Sequence, residues 1–187
     1  MRIISGKNKG RQIITPTTLP VRPTTDLGKE SLFNILNNYF FFDRVTVLDL
    51  FAGTGNITYE FASRGALSVT AIDHNKACVD FIHKTINKLE YQNVSIIKSD
   101  AFLFTAKCRH SFDIIFADPP YDLEGIEQIV DNVFTYRLLK PNGWLVVEHS
   151  KIRDFSAHPN FYTRRTYGKL NFSFFVEGIL ENKEQEN

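Results

Sequence analysis

The motif Asp118-Pro119-Pro120-Tyr121 directly follows the apolar run Ile114–Ala117. A carboxylate and a carbonyl held by proline can both accept a hydrogen bond from one amino group. Two such acceptors draw the nitrogen towards a pyramidal geometry and free its lone pair for attack. Tyr121 offers a flat ring on which a base can stack, and the prolines stiffen the turn before a substrate arrives. The motif therefore predicts chemistry on an amine nitrogen, and its structural alternative is a proline-rich turn after a strand.

A second motif, Phe51-Ala52-Gly53-Thr54-Gly55, lies upstream and follows the apolar run Val45–Leu50. Glycines allow a tight turn and a close approach of the backbone to a ligand, and the helix that follows presents free N–H groups. The motif therefore predicts a ligand cradle. A nicotinamide fingerprint needs Gly or Ala at position 58, where this chain has Thr58, and the chain has no Gly-Lys-Ser/Thr of a nucleoside triphosphate loop.

Four acids, Asp49, Asp73, Asp100 and Asp118, each end one of four successive strand-like runs. Ligands of an open parallel sheet bind beyond the carboxyl ends of its strands, so these acids are candidates for one site. An acid at the position of Asp73 typically accepts from ribose hydroxyls, and Asp100 could accept from an adenine amine. The alternative for both residues is capping of the next helix.

Strands alternate with helices from residue 45 onward, and the strand interiors are almost continuously apolar. This pattern predicts a parallel sheet covered by helices on both faces, and Gly168-Lys169 predicts a closing antiparallel hairpin. The predicted strands are Val45–Leu50, Ser68–Ile72, Val94–Ile97, Phe112–Ala117, Trp144–Val147, Phe161–Tyr167 and Leu170–Ile179. The predicted helices span about 27–40, Ile57–Ser63, about 75–90 and about 123–138, and Pro141-Asn142-Gly143 predicts a turn.

Composition limits the class of protein. The chain has 187 residues, of which 43% are hydrophobic, which suits one domain with its own core. We see no apolar run long enough for a bilayer, and the N-terminus becomes polar too early for a signal peptide. Cys78 and Cys108 are thirty residues apart and match neither a disulfide framework nor a zinc site, which favours a reducing cytoplasm. The five His show no ligand spacing, so we expect surface or capping roles for them and no metal.

The net charge of +1 hides a basic N-terminus. Residues 1–30 carry six basic side chains against two acidic ones, a local charge of +4. Such an arm predicts contact with a polyanion, although basic termini also occur without a binding role. Two β-prone runs, Arg2–Ser5 and Arg11–Ile14, predict a small hairpin or a basic loop. The basic residues that precede the first predicted helix are Arg2, Lys7, Lys9, Arg11 and Arg22.

From Met1 to about Ile179 the chain resembles the class I S-adenosylmethionine-dependent methyltransferases, and within them the RsmD family of bacterial 16S rRNA guanine-N2 methyltransferases. The glycine turn indicates a methyltransferase, and the N-terminal motifs narrow the resemblance to this family. The motifs that carry it are Arg2-Ile3-Ile4-Ser5-Gly6, Gly10-Arg11, Val21-Arg22-Pro23-Thr24-Thr25-Asp26, Lys29-Glu30-Ser31-Leu32-Phe33-Asn34, Val47–Gly55, Ala62-Ser63-Arg64-Gly65-Ala66 and Asp118–Tyr121.

The resemblance implies an α/β fold with a Rossmann-like seven-stranded sheet, mostly parallel with a C-terminal antiparallel hairpin. It implies one domain: a basic N-terminal arm (1–26), a catalytic core (27–179) and a disordered tail (180–187). The implied cofactor is S-adenosylmethionine, released as S-adenosylhomocysteine. Its implied contacts are Asp49, Phe51, Ala52, Gly53, Thr54, Gly55, Asp73, Asp100 and Ala101.

The resemblance also implies that Asp118, Pro119, Pro120 and Tyr121 hold the target guanine while the basic arm grips phosphates. The implied partner is 16S rRNA within the small ribosomal subunit, and the implied state is a cytoplasmic monomer. Many relatives carry a basic residue after the acid of Arg-Pro-Thr-Thr-Asp, where this chain has Leu27-Gly28. Gly28 should weaken the first helical turn by about 1 kcal/mol relative to Ala.

Other functions use parts of the same pattern. An adenine-N6 DNA methyltransferase shares the Asp-Pro-Pro-Tyr chemistry, but such enzymes usually carry a separate target-recognition region, for which this chain leaves little room. A protein-glutamine methyltransferase typically has Asn at position 118. A catalytically silent RNA-binding assembly factor is disfavoured by the intact Asp118–Tyr121 motif. A nicotinamide oxidoreductase is disfavoured by Thr58 and by the lack of an evident proton-transfer pair.

Overall fold

A mixed seven-stranded sheet in the order β3-β2-β1-β4-β5-β7-β6 forms the centre of the structure, a computed structural model that describes residues 1–17, 19, 26–168 and 170–177. The strands are β1 (Thr46–Asp49), β2 (Ser68–Asp73), β3 (Val94–Lys98), β4 (Phe112–Ala117), β5 (Leu139–His149), β6 (Phe161–Tyr167) and β7 (Leu170–Val176). The helices are α1 (Asp26–Leu36), α2 (Asn56–Ser63), α3 (Lys76–Lys88), α4 (Ala101–Lys107) and α5 (Ile126–Thr135), with a 3-10 turn at Phe42–Arg44.

The first five strands pair in parallel, and β7 pairs antiparallel with both β5 and β6. This confirms the α/β fold and the mostly parallel sheet with a C-terminal antiparallel hairpin. The apolar interiors of β1, β2 and β4 follow from this arrangement, because helices cover both faces of the central sheet and bury most positions of these strands. The edge strands β3 and β6 are mostly exposed.

Two hydrophobic clusters lie on opposite faces of the sheet. Side chains alternate along each strand, so Ile114, Phe116 and Val146 join the first cluster with α1, α2 and α3. Ala117 and Val147 join the second cluster with α4 and α5. This alternation decides which face each residue beyond a strand end will take.

The main difference from the sequence-based prediction is α4, which was not predicted. It has seven residues, too few for a clear helical period, and only Ala101 and Thr105 are buried. The first helix ends at Leu36 rather than near residue 40 because Asn37–Tyr39 form a turn.

The predicted turn at Pro141-Asn142-Gly143 lies inside β5 instead. Asn142 has a φ of +63°, and the register shifts between Phe112 and Ile114 on the neighbouring strand. A Cβ on Gly143 would lie 2.9 Å from the carbonyl oxygen of Lys140. The turn residues therefore mark a local irregularity in the backbone, and β5 continues through it.

The N-terminal arm forms a loop closed by one antiparallel bridge between Arg2 and Gln12. This loop lies on the C-terminal end of α2, where Lys7 N–H donates to the Ser63 carbonyl at 2.7 Å. Gly6 has a φ of +81°, and a Cβ there would lie 1.8 Å from the Ser63 carbonyl oxygen, so only glycine permits this contact. Arg22 and the tail 180–187 lie outside the described residues.

None of the described helices has the length and apolar character needed to pass through a bilayer. Cys78 and Cys108 are both buried free thiols.

Candidate functional site

The glycine turn lies between the carboxyl end of β1 and the start of α2. Gly53 has a φ of +54° and donates its N–H to Asp73 Oδ2 at 2.8 Å. Asp73 Oδ1 accepts from the Asn75 N–H, and Asn75 itself caps α3 through Ala77 and Cys78. Asn75, rather than Asp73, therefore caps α3. Asp73 instead connects the glycine turn to the end of β2 by a hydrogen bond.

Gly55 shows why this turn needs glycine. Its φ is +82°, and a Cβ there would lie 2.5 Å from Cζ of the Tyr59 ring. Tyr59 is fully buried, so its ring has little freedom to move aside. Glycine at position 55 is therefore required by its positive φ and by the packing of the turn on Tyr59.

Asp49 is buried below this turn. Its Oδ2 accepts from the Thr58 hydroxyl at 2.6 Å, whereas its Oδ1 has no hydrogen-bond partner in the described part of the chain. Burial raises the pKa of Asp49 to about 7, and the Thr58 hydrogen bond opposes that shift. A buried carboxyl with one unpaired oxygen fits a ligand group that brings a positive charge.

We expect Asp49→Asn to stabilise the ligand-free protein at pH 8 by about 1–2 kcal/mol. The folded protein holds the Asp49 proton more tightly than the unfolded chain, whose Asp titrates near pH 4. Wild-type stability from this group is therefore present at low pH and is lost as pH rises from about 4 to about 7. Asn carries no charge and keeps the Thr58 contact, although its amide N–H groups lack an acceptor. Urea unfolding from pH 4 to pH 8 measures the difference, and a pH-independent difference would contradict the assignment.

The other predicted cofactor residues take different places. Asp100 caps α4, with its Oδ1 accepting from the Leu103 N–H at 2.9 Å, and Ala101 packs into the second cluster. The capping role weighed for Asp100 is thus observed. Ala52 and Thr54 are buried in the turn, and Phe51 is half-buried against the second cluster. Their contact with a cofactor remains a prediction.

The motif Asp118–Tyr121 begins where β4 ends. Asp118 is the first residue after β4, and from the alternation of Ile114 and Phe116 we infer that it takes the face of the first cluster. By the same alternation Asp49 and Asp73 take that face at the ends of β1 and β2. Tyr121 is 37% exposed, which leaves its ring accessible for stacking. The structure thus brings the glycine turn, Asp49, Asp73 and the motif to one edge and one face of the sheet.

Glu148 and His149 end the neighbouring strand β5, and the sequence did not assign them a role. Glu148 is 3% exposed and takes the same face as Asp118, and the Tyr121 hydroxyl lies 3.5 Å from its Oε1. Its Oε2 has no partner among the residues that the structure describes. Burial raises the pKa of Glu148 to about 7. A single Glu after a strand gives no sequence signal for such an environment.

His149 points to the opposite face. Its Nδ1 lies 2.8 Å from the Ser150 carbonyl, to which it donates, so Nε2 accepts from the Ser173 hydroxyl at 2.8 Å. Burial lowers the pKa of His149. The expectation of a surface or capping role was wrong for this residue, which is 2% exposed and packs on Phe155.

Glu60 on α2 joins the N-terminal arm to the body. It is fully buried and accepts from the N–H groups of Ile4 at 2.8 Å and Ser5 at 3.1 Å. Two cations balance its charge, Arg64 at 2.8 Å and the buried Lys29 at 3.5 Å. This group of three side chains, which we term the Glu60 cluster, was not predicted from the sequence.

The Glu60 cluster also reaches the glycine turn. Lys29 on α1 donates to Asn56 Oδ1 at 2.9 Å, and Asn56 directly follows Gly55. Burial lowers the pKa of Lys29, and the charge of Glu60 opposes that shift. Because Lys29 also donates to the Arg2 carbonyl, one ammonium contacts both the arm and the start of α2.

The predicted phosphate contacts that the structure describes lie on the surface of the arm. Lys7, Lys9 and Arg11 are exposed, and none of the ion pairs found among described residues includes them. Arg2 pairs with Asp26 at 3.4 Å. A groove of about 920 Å³ runs between the arm and the glycine turn and is bordered by Arg2, Asp26 and Thr54. In the described ranges we find no cluster of three or more His, Cys, Asp or Glu placed to hold a metal ion.

Comparison with known proteins gives consistent results. Residues 1–176 match the family model described as "Conserved hypothetical protein 95". The chain is 34% identical to "Putative rRNA methyltransferase YlbH" of Bacillus subtilis, with 81% of this chain and 83% of the relative covered. It is also 34% identical to "Ribosomal RNA small subunit methyltransferase D" of Escherichia coli K12, with 79% and 71% covered.

Solved structures agree with this relationship. "Putative methyltransferase yhhF from Escherichia coli" superposes with a TM-score of 0.83 at 28% identity, covering 94% of this chain and 96% of that one. A Thermus protein of 22% identity has the same fold, with a TM-score of 0.82 and 94% and 98% covered. The family match over most of the length and the relatives above 30% identity agree with the motifs of the arm, the glycine turn and the β4 end. The chain belongs to the family of the ribosomal RNA small subunit methyltransferase D proteins.

Proposed function

We propose that this protein is an S-adenosylmethionine-dependent methyltransferase that methylates the exocyclic N2 amine of a guanine in 16S rRNA. One observation carries the proposal. The Asp118–Tyr121 motif and the cradle with the unpaired Asp49 oxygen lie on the same face and edge of the sheet. The relatives that are named rRNA small subunit methyltransferases support the RNA substrate.

S-adenosylmethionine supplies the methyl group when it is bound. The residues present fit its chemistry, since Asp49 Oδ1 can accept from an ammonium group. Asp73 has lone pairs left for ribose hydroxyls beyond the two N–H groups that it already accepts. The Asp49→Asn variant should therefore bind S-adenosylhomocysteine at least about tenfold more weakly, although the ligand-free protein gains stability.

In this proposal, the residues of the Asp118–Tyr121 motif bind the target amine. Asp118 and a proline-held carbonyl accept the two N–H groups of the amine, which directs the nitrogen lone pair towards the cradle. Asp118 is also placed to take the proton that the nitrogen loses after transfer. Tyr121 stacks on the base, which must leave its own stack to enter the cleft.

The basic arm would hold the RNA backbone next to this cleft. Phosphate contacts position a nucleic acid without reading its sequence, which suits the exposed Lys7, Lys9 and Arg11. The Glu60 cluster keeps that loop at a fixed place relative to the glycine turn. We propose the small ribosomal subunit as the physiological substrate, a monomer as the acting form and the cytoplasm as its location.

Nucleoside mass spectrometry of 16S rRNA tests the function. Cells that lack this protein should lose N2-methylguanosine from one position, and return of the wild-type chain should restore it. Return of the Asp118→Ala chain should not restore it. Unchanged N2-methylguanosine would contradict the proposal, and loss of N6-methyladenine from DNA instead would favour the adenine-N6 alternative.

We expect the double variant Lys7→Gln, Lys9→Gln to weaken RNA binding and to lower the slope of log K against log salt by about 1–2. Each lysine that neutralises a phosphate releases counterions, so its loss reduces the salt dependence. Titration of 16S rRNA at several salt concentrations measures the slope. The matched control is Lys84→Gln, Lys88→Gln on the exposed side of α3, which should keep the wild-type slope. Equal slopes for both double variants would refute the role of the arm.

A further inference from the structure

Glu148 is a buried acid whose hydrogen-bonding capacity is not satisfied within the described residues. Its Oε2 has no partner, and its Oε1 has only the Tyr121 hydroxyl at 3.5 Å. Above its raised pKa of about 7, Glu148 is ionised, and an ionised carboxylate can accept about four hydrogen bonds. Buried polar groups in native proteins are normally paired, so an unpaired buried oxygen calls for a specific explanation, such as a catalytic role or a bound water or ion. Glu148 therefore has the character of a binding residue rather than of a structural acid.

The sheet places Glu148 beside the proposed amine site. In the parallel pairing of β4 and β5, Ala117 lies opposite Val147, so the next residues, Asp118 and Glu148, are also neighbours. Both continue the face that Phe116 and Val146 take, and adjacent strands are about 4.8 Å apart. The two residues thus lie side by side where β4 and β5 end, and the Tyr121 hydroxyl contacts Glu148.

Two adjacent carboxyl groups can each meet a different position on the edge of a purine, namely N1 and the exocyclic amine. Guanine carries the N1–H donor next to its exocyclic N2 amine, so two neighbouring acceptors match two neighbouring donors. Adenine has a lone pair at N1 next to its N6 amine, and a carboxylate beside that lone pair is repelled. Enzymes that act on a flipped base read this edge by hydrogen bonds, and a site built for one donor strongly rejects an analogue that lacks it.

We propose that Glu148 selects guanine by accepting its N1–H, while Asp118 accepts from the adjacent amine. This inference rests on the proposed function and adds the residue that determines which base is accepted. The Tyr121 hydroxyl occupies Oε1 in the ligand-free protein. As the base stacks on the Tyr121 ring, its N1–H takes the place of that hydroxyl on the carboxylate.

The test uses 16S rRNA in which ligation places either guanine or 2-aminopurine at the target position, both free and assembled with ribosomal proteins. 2-Aminopurine keeps the amine at C2 but has an acceptor at N1. The wild-type protein should prefer guanine by at least about 100-fold in kcat/KM. This measurement needs no variant, so it stands even if a substitution at position 148 disturbs folding. Equal rates for the two bases in the wild type would overturn the role of Glu148.

Glu148→Gln supplies the second measurement. It keeps the shape of the side chain and replaces one acceptor by a donor, so the guanine to 2-aminopurine ratio should fall at least about tenfold. S-adenosylhomocysteine affinity by calorimetry should stay at the wild-type value, which shows that the fold and cradle are intact. Glu90→Gln, the same change at an exposed position after α3, should leave the ratio unchanged.

The outcomes separate the two claims. If the wild type methylates guanine and the Glu148→Gln ratio does not move, Glu148 does not read the base and the proposed function stands. If the wild type prefers 2-aminopurine, only the inference fails. If it transfers to neither base, both the proposed function and the inference fail.

Discussion

Asp118→Ala should lower the rate of methyl transfer by about 10³-fold or more while leaving S-adenosylhomocysteine affinity within about twofold of the wild type. Asp118 lies at the end of β4 on the face that the amine must approach. Its loss removes one of the two acceptors that shape the nitrogen, but it removes no residue of the glycine turn. Single-turnover transfer to small ribosomal subunits measures the rate, and calorimetry measures the affinity.

The control for this change lies in the same loop. Asp122 is an exposed acid four residues after Asp118, so Asp122→Ala should retain both transfer and binding. An equal loss of transfer and of cofactor affinity in Asp118→Ala would assign Asp118 a structural role. Loss of transfer in both variants would point to the loop as a whole rather than to one carboxylate.

Glu60→Gln should lower the free energy of unfolding by about 3–5 kcal/mol, because it leaves a buried ammonium without its counter-charge. Lys29 and Glu60 are both almost completely buried, with 1% and 0% of their side chains exposed. The amide that replaces the carboxylate keeps the volume but has only one oxygen, so one of the Ile4 and Ser5 N–H groups loses its acceptor. Urea unfolding measures the loss, and hydrogen exchange should show faster exchange at Ile4 and Ser5.

Asp80→Asn is the matched control, since Asp80 forms an ion pair with Lys76 on the exposed surface of α3. Water already solvates both groups there, so its removal should leave stability close to the wild-type value. Similar losses in the two variants would show that burial of the Glu60 cluster has no special effect. The Glu60→Gln protein should also bind S-adenosylhomocysteine more weakly, because Lys29 contacts Asn56 beside the glycine turn.

The sheet could be predicted because its signals are local and repeated. Apolar runs that end in an acid, such as Val45–Leu50 and Phe112–Ala117, mark buried parallel strands wherever they occur. The helix α4 was not predicted because its seven residues, of which only two are buried, show no helical periodicity of apolar residues. The length of β5 escaped as well, since Pro141–Gly143 carries turn residues although the backbone continues the strand.

The candidate site could be predicted only where several chemical groups are close in sequence. The glycine turn and the Asp118–Tyr121 motif each place their groups in one short segment. Glu148 and the pair of Lys29 with Glu60 are single residues whose meaning depends on neighbours from distant segments. Their burial results from tertiary packing between distant segments. A local sequence pattern therefore cannot predict it.

The order of the last strands has a consequence for biosynthesis. Strand β7 lies between β5 and β6, although it follows both in the chain, and Phe172, Phe174 and Phe175 in it are fully buried. While the polypeptide is being synthesised from its N-terminus, β6 has no strand to pair with and β5 presents an open edge. We expect the sheet to be complete only once β7 has been synthesised, so a prematurely terminated chain that lacks β7 should aggregate rather than accumulate as a smaller protein.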